Sequence, residues 1–400
     1  MNGGWPRVLA VCGLLVLAGC VAPAADHPAA SNPGDIDQPT TPATTTAAGD
    51  TTTDAPEGVV VEGGSVDVDV NRTYERVQRL LGADFPGTRV VVRNLTQYKS
   101  ADYGNVPFFR VFGVENPALD ESEPTGLTTL DASVYVSPAG ADSSRVEQVV
   151  AHEFVHVAQV REEMVPWFGG LSLERVTLDE QLARRSLVEG GAVYVTDAYS
   201  EEFLPEEERQ SAYVAAGYEN GSSGDRIVWS QYHFGAQYVN ATIDDPTDLA
   251  AVYEDAPETT ENVLHPGKTD DPAALDVDVS PEDYTRVDSR TVRVGELLTR
   301  ITLRDVTNKS VAANASAGWA NDRVVVFRKS GAWHIAWVTR WDTPADADEF
   351  TAAARELGTE AGTDSEFRVD RLAGDTVVVF AGSERFVEEA NASGNVTVVA

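Results

Sequence analysis

Residues 144–157 constrain the fold more than any other segment. Val146, Val149, Val150, Phe154 and Val157 recur at helical intervals. Ser144-Arg145-Val146-Glu147 at the front of the run matches a capping-box pattern. Upstream, Ala132–Val136 alternates as a strand and is closed by Ser137-Pro138. Inside the predicted helix stands His152-Glu153-Phe154-Val155-His156. Two histidines four residues apart share one helix face, one turn apart, where both nitrogens can bind one Zn2+. Glu153 is adjacent to the first of them, so it can approach a metal-bound water without being a ligand. The plainer alternative is a helix face with two solvated histidines.

A catalytic zinc needs three protein ligands and an open fourth position. The only cysteines are Cys12 and Cys20, near the N-terminus, so no thiolate site and no disulfide is expected in the body. After His156 comes Val157-Ala158-Gln159-Val160-Arg161, with no further histidine. The third ligand is therefore expected to be a carboxylate on another helix. Thr177-Leu178-Asp179-Glu180 is a second capping-box pattern, and it predicts a helix to about Tyr199. Within it, Leu187-Val188-Glu189-Gly190-Gly191-Ala192 offers Glu189. Two consecutive glycines in a helix cost ~2 kcal/mol relative to alanine. Close approach of this backbone to the metal-binding helix is one reason to keep them. The alternative is a surface carboxylate followed by glycines that end the helix.

His-Glu-x-x-His followed some thirty residues on by Glu-Gly-x-Ala resembles the gluzincin branch of zinc metallopeptidases. The resemblance covers roughly residues 59–260. It implies that His152, His156 and Glu189 hold Zn2+, that Glu153 is the general base, and that the reaction is peptide-bond hydrolysis. It also implies an α+β fold, zincin-like: a small mixed sheet over an active-site helix, with a helical second lobe. An edge strand of that sheet would pair with an extended substrate, and Ala132–Val136 is the candidate. Such an enzyme needs a donor for the oxyanion. Tyr232 and His233, on a third predicted helix from Ile227 to Val239, are candidates, as is His265. Each metal histidine also needs an acceptor for its second nitrogen, and Asp179 or Asp197 is expected to serve. Gly191 departs from the pattern, where an acidic residue is frequent. That leaves room for a non-catalytic surface protein that keeps the fold and the metal, or for a nutrient-binding lipoprotein.

Of 400 residues, 30 are basic and 64 acidic, a net charge of −34. Nucleic acid and anionic lipid surfaces would be repelled. The only lysines are Lys99, Lys268, Lys309 and Lys329. Acid-rich, lysine-poor usage resembles that of halophilic archaea, where high salt screens self-repulsion. The first twenty residues read as a secretory signal ending in Leu17-Ala18-Gly19-Cys20, which resembles a lipobox with Cys20 as the lipidated residue. Residues 21–57 are rich in Thr, Ala, Pro and Asp and read as a tether too polar to bury a core. Asn-x-Ser/Thr sequons stand at Asn71, Asn94, Asn220, Asn240, Asn308, Asn314, Asn391 and Asn395. The arrangement is similar to surface lipoproteins of halophilic archaea, held to the membrane by lipid at Cys20 and facing peptide or protein substrates outside the cell.

The body reads as two units, 58–285 and 286–400. In the first, residues 59–70 and 88–93 are predicted strands, Tyr74–Leu81 a helix, and 254–284 a Pro- and Asp-rich connection. In the second, Val324–Arg328 and Trp333–Thr339 alternate as strands about a turn at Ser330-Gly331, Ala345–Leu357 is a helix, Thr376–Phe380 a strand, and Arg385–Ala390 a short helix. This is a small α+β domain. Trp319, Trp333, Trp337, Trp341 and His334 are expected mainly in its core.

Overall fold

A computed structural model describes residues 58–165, 176–287, 293–359, 364–393 and 396–400. The signal, the lipobox with Cys20 and the tether lie outside the described residues.

The first half interleaves short strands with helices. β1 (Val60–Glu62), α1 (Val70–Leu81), β2 (Arg89–Val92), α2 (Pro107–Phe112), β3 (Thr125–Thr128) and β4 (Val134–Ser137) precede four longer helices. These are α3 (Ser143–Arg161), α4 (Leu178–Phe203), α5 (Gln210–Asn220) and α6 (Ser223–Thr242); the short α7 (Thr260–Leu264) follows. The sheet order is β1-β2-β4-β3. β1, β2 and β4 run parallel, and β3 is antiparallel to β4. Val90, Val134 and Val136 from this sheet bury against Tyr74 and Val77 of α1 and Val150 and Phe154 of α3. Each fully buried side chain of this kind contributes about 1.5–3 kcal/mol.

Several sequence expectations change. The predicted strand over 59–70 shrinks to three residues, because Gly63 turns the chain at φ 74° and Asp69 caps α1, accepting from Arg72 N at 3.1 Å. Ala132–Val136 is not an edge of the sheet: β4 is interior, and β1 and β3 are the edges. Ser144 does not cap α3. Asp142 stands at the N-cap without a side-chain bond, while the Ser144 hydroxyl donates to Glu207 at 2.7 Å and Glu147 pairs with Arg76 at 2.7 Å. Thr177 does cap α4, accepting from Glu180 N at 3.2 Å, but the Glu180 side chain pairs with Arg184 instead of completing a box. The reciprocal box occurs at α6, between Ser222 and Asp225.

The second half is mainly antiparallel. β5 (Asp278–Ser280) and β6 (Thr285–Val287) lead into α8 (Gly295–Arg304) and α9 (Lys309–Ser316). β7 (Trp319–Lys329), β8 (Ala332–Trp341), α10 (Pro344–Ala354), β9 (Glu366–Ala373), β10 (Thr376–Gly382), α11 (Glu384–Glu389), β11 (Asn391–Ser393) and β12 (Thr397–Val399) complete it. One sheet has the order β6-β7-β8-β10-β9, and a small second sheet the order β11-β12-β5. Trp319, Trp337 and Trp341 are fully buried, whereas Trp333 is half-buried under Arg328. His334 is a core residue, stacked on Phe386 and accepting from Ser383 N at 3.2 Å.

The two halves share one apolar core. Phe108 and Phe112 of α2 meet Trp337 of β8 edge-on at 5.3 and 5.4 Å, and α8 contributes Leu297, Leu298 and Ile301 to the cluster that holds Trp229 and Tyr232. Among the described residues, no helix is long and apolar enough to cross a membrane.

Candidate metal centre

α3 and α4 are buried on nearly every side, which is why charged residues in their middles have chemical consequences. His152, Glu153 and His156 on α3 and Glu189 on α4 are all buried. Glu189 Oε2 lies 3.4 Å from His152 Nε2 and 3.3 Å from His156 Nε2. The three ligand atoms fall within 4.8 Å of one another. None of them has a hydrogen-bond partner, and neither does Glu153 Oε1.

These contacts are too long for good charge-assisted hydrogen bonds, which run ~2.7–2.9 Å. They suit two ligands of one tetrahedral ion: with bonds of about 2.0–2.1 Å, neighbouring ligand atoms stand roughly 3.3 Å apart. A buried polar atom left unpaired costs about 1–3 kcal/mol. Several in one place, with lone pairs converging, fit a metal ion better than they fit a core. Two imidazole nitrogens and one carboxylate form a borderline donor set matched to zinc.

The far nitrogens of both histidines are fixed. His152 Nδ1 is 2.9 Å from Gln210 Oε1, and His156 Nδ1 is 2.7 Å from Gln159 Oε1. An amide oxygen only accepts, so each Nδ1 carries a proton, and in the neutral ring each Nε2 presents a lone pair to the centre. Gln159 is itself held, donating to the Val188 carbonyl at 2.9 Å and to the Tyr253 hydroxyl at 2.7 Å. Neither Asp179 nor Asp197 is the acceptor. Asp179 takes bonds from Thr260 N at 2.8 Å and Thr260 Oγ1 at 2.6 Å and faces Arg293 at 3.1 Å. Asp197 accepts from Ser211 N at 3.0 Å, at the start of the helix that carries Gln210. Gln159 lies three residues beyond His156, on the same helix face, and was legible in the sequence. Gln210 was hidden because α5 has no clear apolar period.

Replacing either glutamine by leucine removes an orienting acceptor while keeping the volume. Zinc affinity, read by competition with a chromophoric chelator, is expected to fall 10- to 100-fold in Gln159→Leu and in Gln210→Leu. Unchanged affinity in both would show that the amides do not set the tautomers.

Charge at the centre is coupled. Burial opposes a proton on His156, but the Glu189 carboxylate, Glu153 and the Gln159 amide together outweigh it and raise the group to about 9. Burial, helped by the charge on His156, lowers His152. Glu189 is lowered by both histidines despite its burial. Burial raises Glu153 to about 8, against the pull of His156 and of the Thr128 hydroxyl.

The glycines of α4 serve a different neighbour from the one expected. A methyl at Gly190 would fall 2.5 Å from Gly235 Cα on α6, and one at Gly191 would meet the Tyr253 hydroxyl and, at 3.0 Å, Leu249. The close backbone crossing at Gly190 is therefore α4 on α6, while at Gly191 the Gln159 amide of α3 also lies 3.3 Å from where the methyl would stand. Of the suggested oxyanion donors, Tyr232 is buried beside His152, with ring centroids 6.1 Å apart. His233, one residue on, turns away by 100° of helix. It stacks on Tyr218 at 5.3 Å and contacts Gln237. His265 pairs with Glu296 at 2.9 Å, outside the centre.

A sequence-family model described as a domain of unknown function (DUF8575) matches residues 283–399. The match covers less than a third of the chain, at its C-terminal end, and none of the candidate metal-site residues. Neither the curated proteins nor the solved structures contain a match.

Proposed function

We propose that the chain is a zinc-dependent peptidase of gluzincin type with a zincin-like fold in its first half. The observation that carries this reading is the convergence of three buried, unpartnered ligand atoms with the free Oε1 of Glu153 in the same interior. Zinc held by His152, His156 and Glu189 supplies Lewis acidity toward water and toward a scissile carbonyl. Glu153 is the general base: its Oε1 has no partner and, in the ionised form, can accept a proton. It takes the proton of the attacking water and passes it to the departing amine nitrogen. Tyr232 is the nearest of the suggested oxyanion donors to His152 and takes that role here. The substrate is an extended peptide. The enzyme works outside the cell, anchored through lipid on Cys20, in the high salt that a charge of −34 suits.

The test is hydrolysis of casein and of a peptide library at molar salt. Cleavage is expected to stop with a chelator and return with one equivalent of zinc. Stoichiometric zinc without cleavage would support a non-catalytic surface lipoprotein instead. Chelator-insensitive behaviour with no bound metal would support neither.

A further inference from the structure

The hairpin joining β3 to β4 fixes more than the sheet. Ala132 N donates to the Thr129 carbonyl at 2.7 Å, and Thr129 N donates to the Ser133 carbonyl at 3.0 Å. Ala132 stands at φ 60°, the left-handed position that ends a three-residue loop of this type. Thr129 and Ser133 are thus a hydrogen-bonded pair. Bonded and non-bonded pairs alternate along an antiparallel ladder. Thr128–Val134 and Gly126–Val136 are therefore non-bonded pairs. The backbone N–H and C=O of Gly126 and Thr128 point away from β4, toward the unpaired side of β3, whose four residues are all buried.

The inner face at the same two positions meets the proposed base. Thr128 Oγ1 is 2.6 Å from Glu153 Oε2 and 3.1 Å from the Glu153 carbonyl oxygen. A methyl at Gly126 would fall 2.6 Å from Glu153 Cδ, so glycine leaves the room in which the carboxylate sits. Thr128 therefore turns its hydroxyl to Glu153 while its backbone lies on the outermost strand of this side of the sheet.

We infer that Thr128 is a positioning residue: by binding Oε2 it fixes the Glu153 carboxylate with Oε1 free. The inference rests on the peptidase reading above. A glutamate has three side-chain torsions and two equivalent oxygens, so an unrestrained one samples many unproductive placements. Thr128 is β-branched and buried, which limits its own χ1 and presets the hydroxyl. With Oε2 engaged, Oε1 is the carboxylate oxygen left without a partner.

The experiment compares the full chain with Thr128→Val and Thr128→Ser at molar salt, reading zinc content, kcat and KM on one peptide substrate. Valine keeps the shape and the backbone edge but removes the hydroxyl. Thr128→Val is expected to hold one zinc, to keep KM within roughly twofold, and to lose kcat by on the order of ten- to a hundredfold. Thr128→Ser is expected to recover most of that loss. If the valine variant does not fold, Thr128→Ala takes its place with the same expectation. A hydroxyl-free variant with the parent kcat, or a serine variant as slow as the hydroxyl-free one, would overturn the inference while leaving the peptidase reading intact. A parent chain with no chelator-sensitive cleavage would overturn both.

Discussion

Glu153→Gln is expected to lower kcat by about 10²–10⁴-fold with the zinc content unchanged. The side chain is not among the ligand atoms; its Oε1 stands free in the same buried interior. Glutamine keeps the size and an acceptor oxygen for the Thr128 hydroxyl, which now lies 2.6 Å from Oε2. It cannot take a proton. Metal analysis and steady-state kinetics on one preparation therefore separate loss of the base from loss of the site. Full activity in the variant would remove Glu153 from the mechanism. Loss of zinc along with activity would make it a structural or ligating residue instead.

Gly235→Ala is expected to give the largest change in stability. A methyl there would be driven into the backbone of α4, 2.8 Å from the Ser186 carbonyl carbon and 3.0 Å from Gly190 Cα. Backbone atoms on both helices cannot swing aside as a side chain would, so the helices must separate. Overpacking of this kind costs about 3 kcal/mol. In a chain of this size that lowers Tm by on the order of 5–10 °C. Glu189 precedes Gly190, so separation also withdraws a metal ligand from the histidines. Thermal melts with and without zinc are expected to show a lower Tm and a smaller gain from the metal than in the parent. An alanine variant that melts with the parent would mean that the α4–α6 crossing is looser than its geometry indicates.

The site was more legible in the sequence than the fold around it. His152 and His156 share one face as their four-residue spacing implied, because helical period is a local property, and Glu189, chosen for the glycines beside it, joins them. The acceptors behind the histidines were misassigned, since Gln210 comes from α5, and which helices meet is settled by packing. The glycine pair correctly signalled a close backbone approach, but only the folded chain shows that α6 is the partner. Strand order is equally non-local. β4 and β3 are both short and apolar enough to be strands, and nothing in either segment says which one is the edge. α8 and α9 were missed, as was the burial of Phe108 and Phe112 against Trp337, because the apolar face of α2 is completed by residues more than two hundred positions away. The shared core also shows why the region matching DUF8575 cannot be read in isolation: it supplies the far wall of the packing that holds α6 and Tyr232 in place.

The most direct measurement is the metal content of the purified chain at molar salt, set beside His156→Ala and Glu189→Ala. One zinc per parent chain is predicted, with X-ray absorption reporting two imidazole nitrogens and oxygen ligands at about 2.0–2.2 Å. Both variants are predicted to fall well below stoichiometry while remaining folded by circular dichroism. A parent chain that binds no metal, or one whose metal is untouched by both substitutions, would contradict the account.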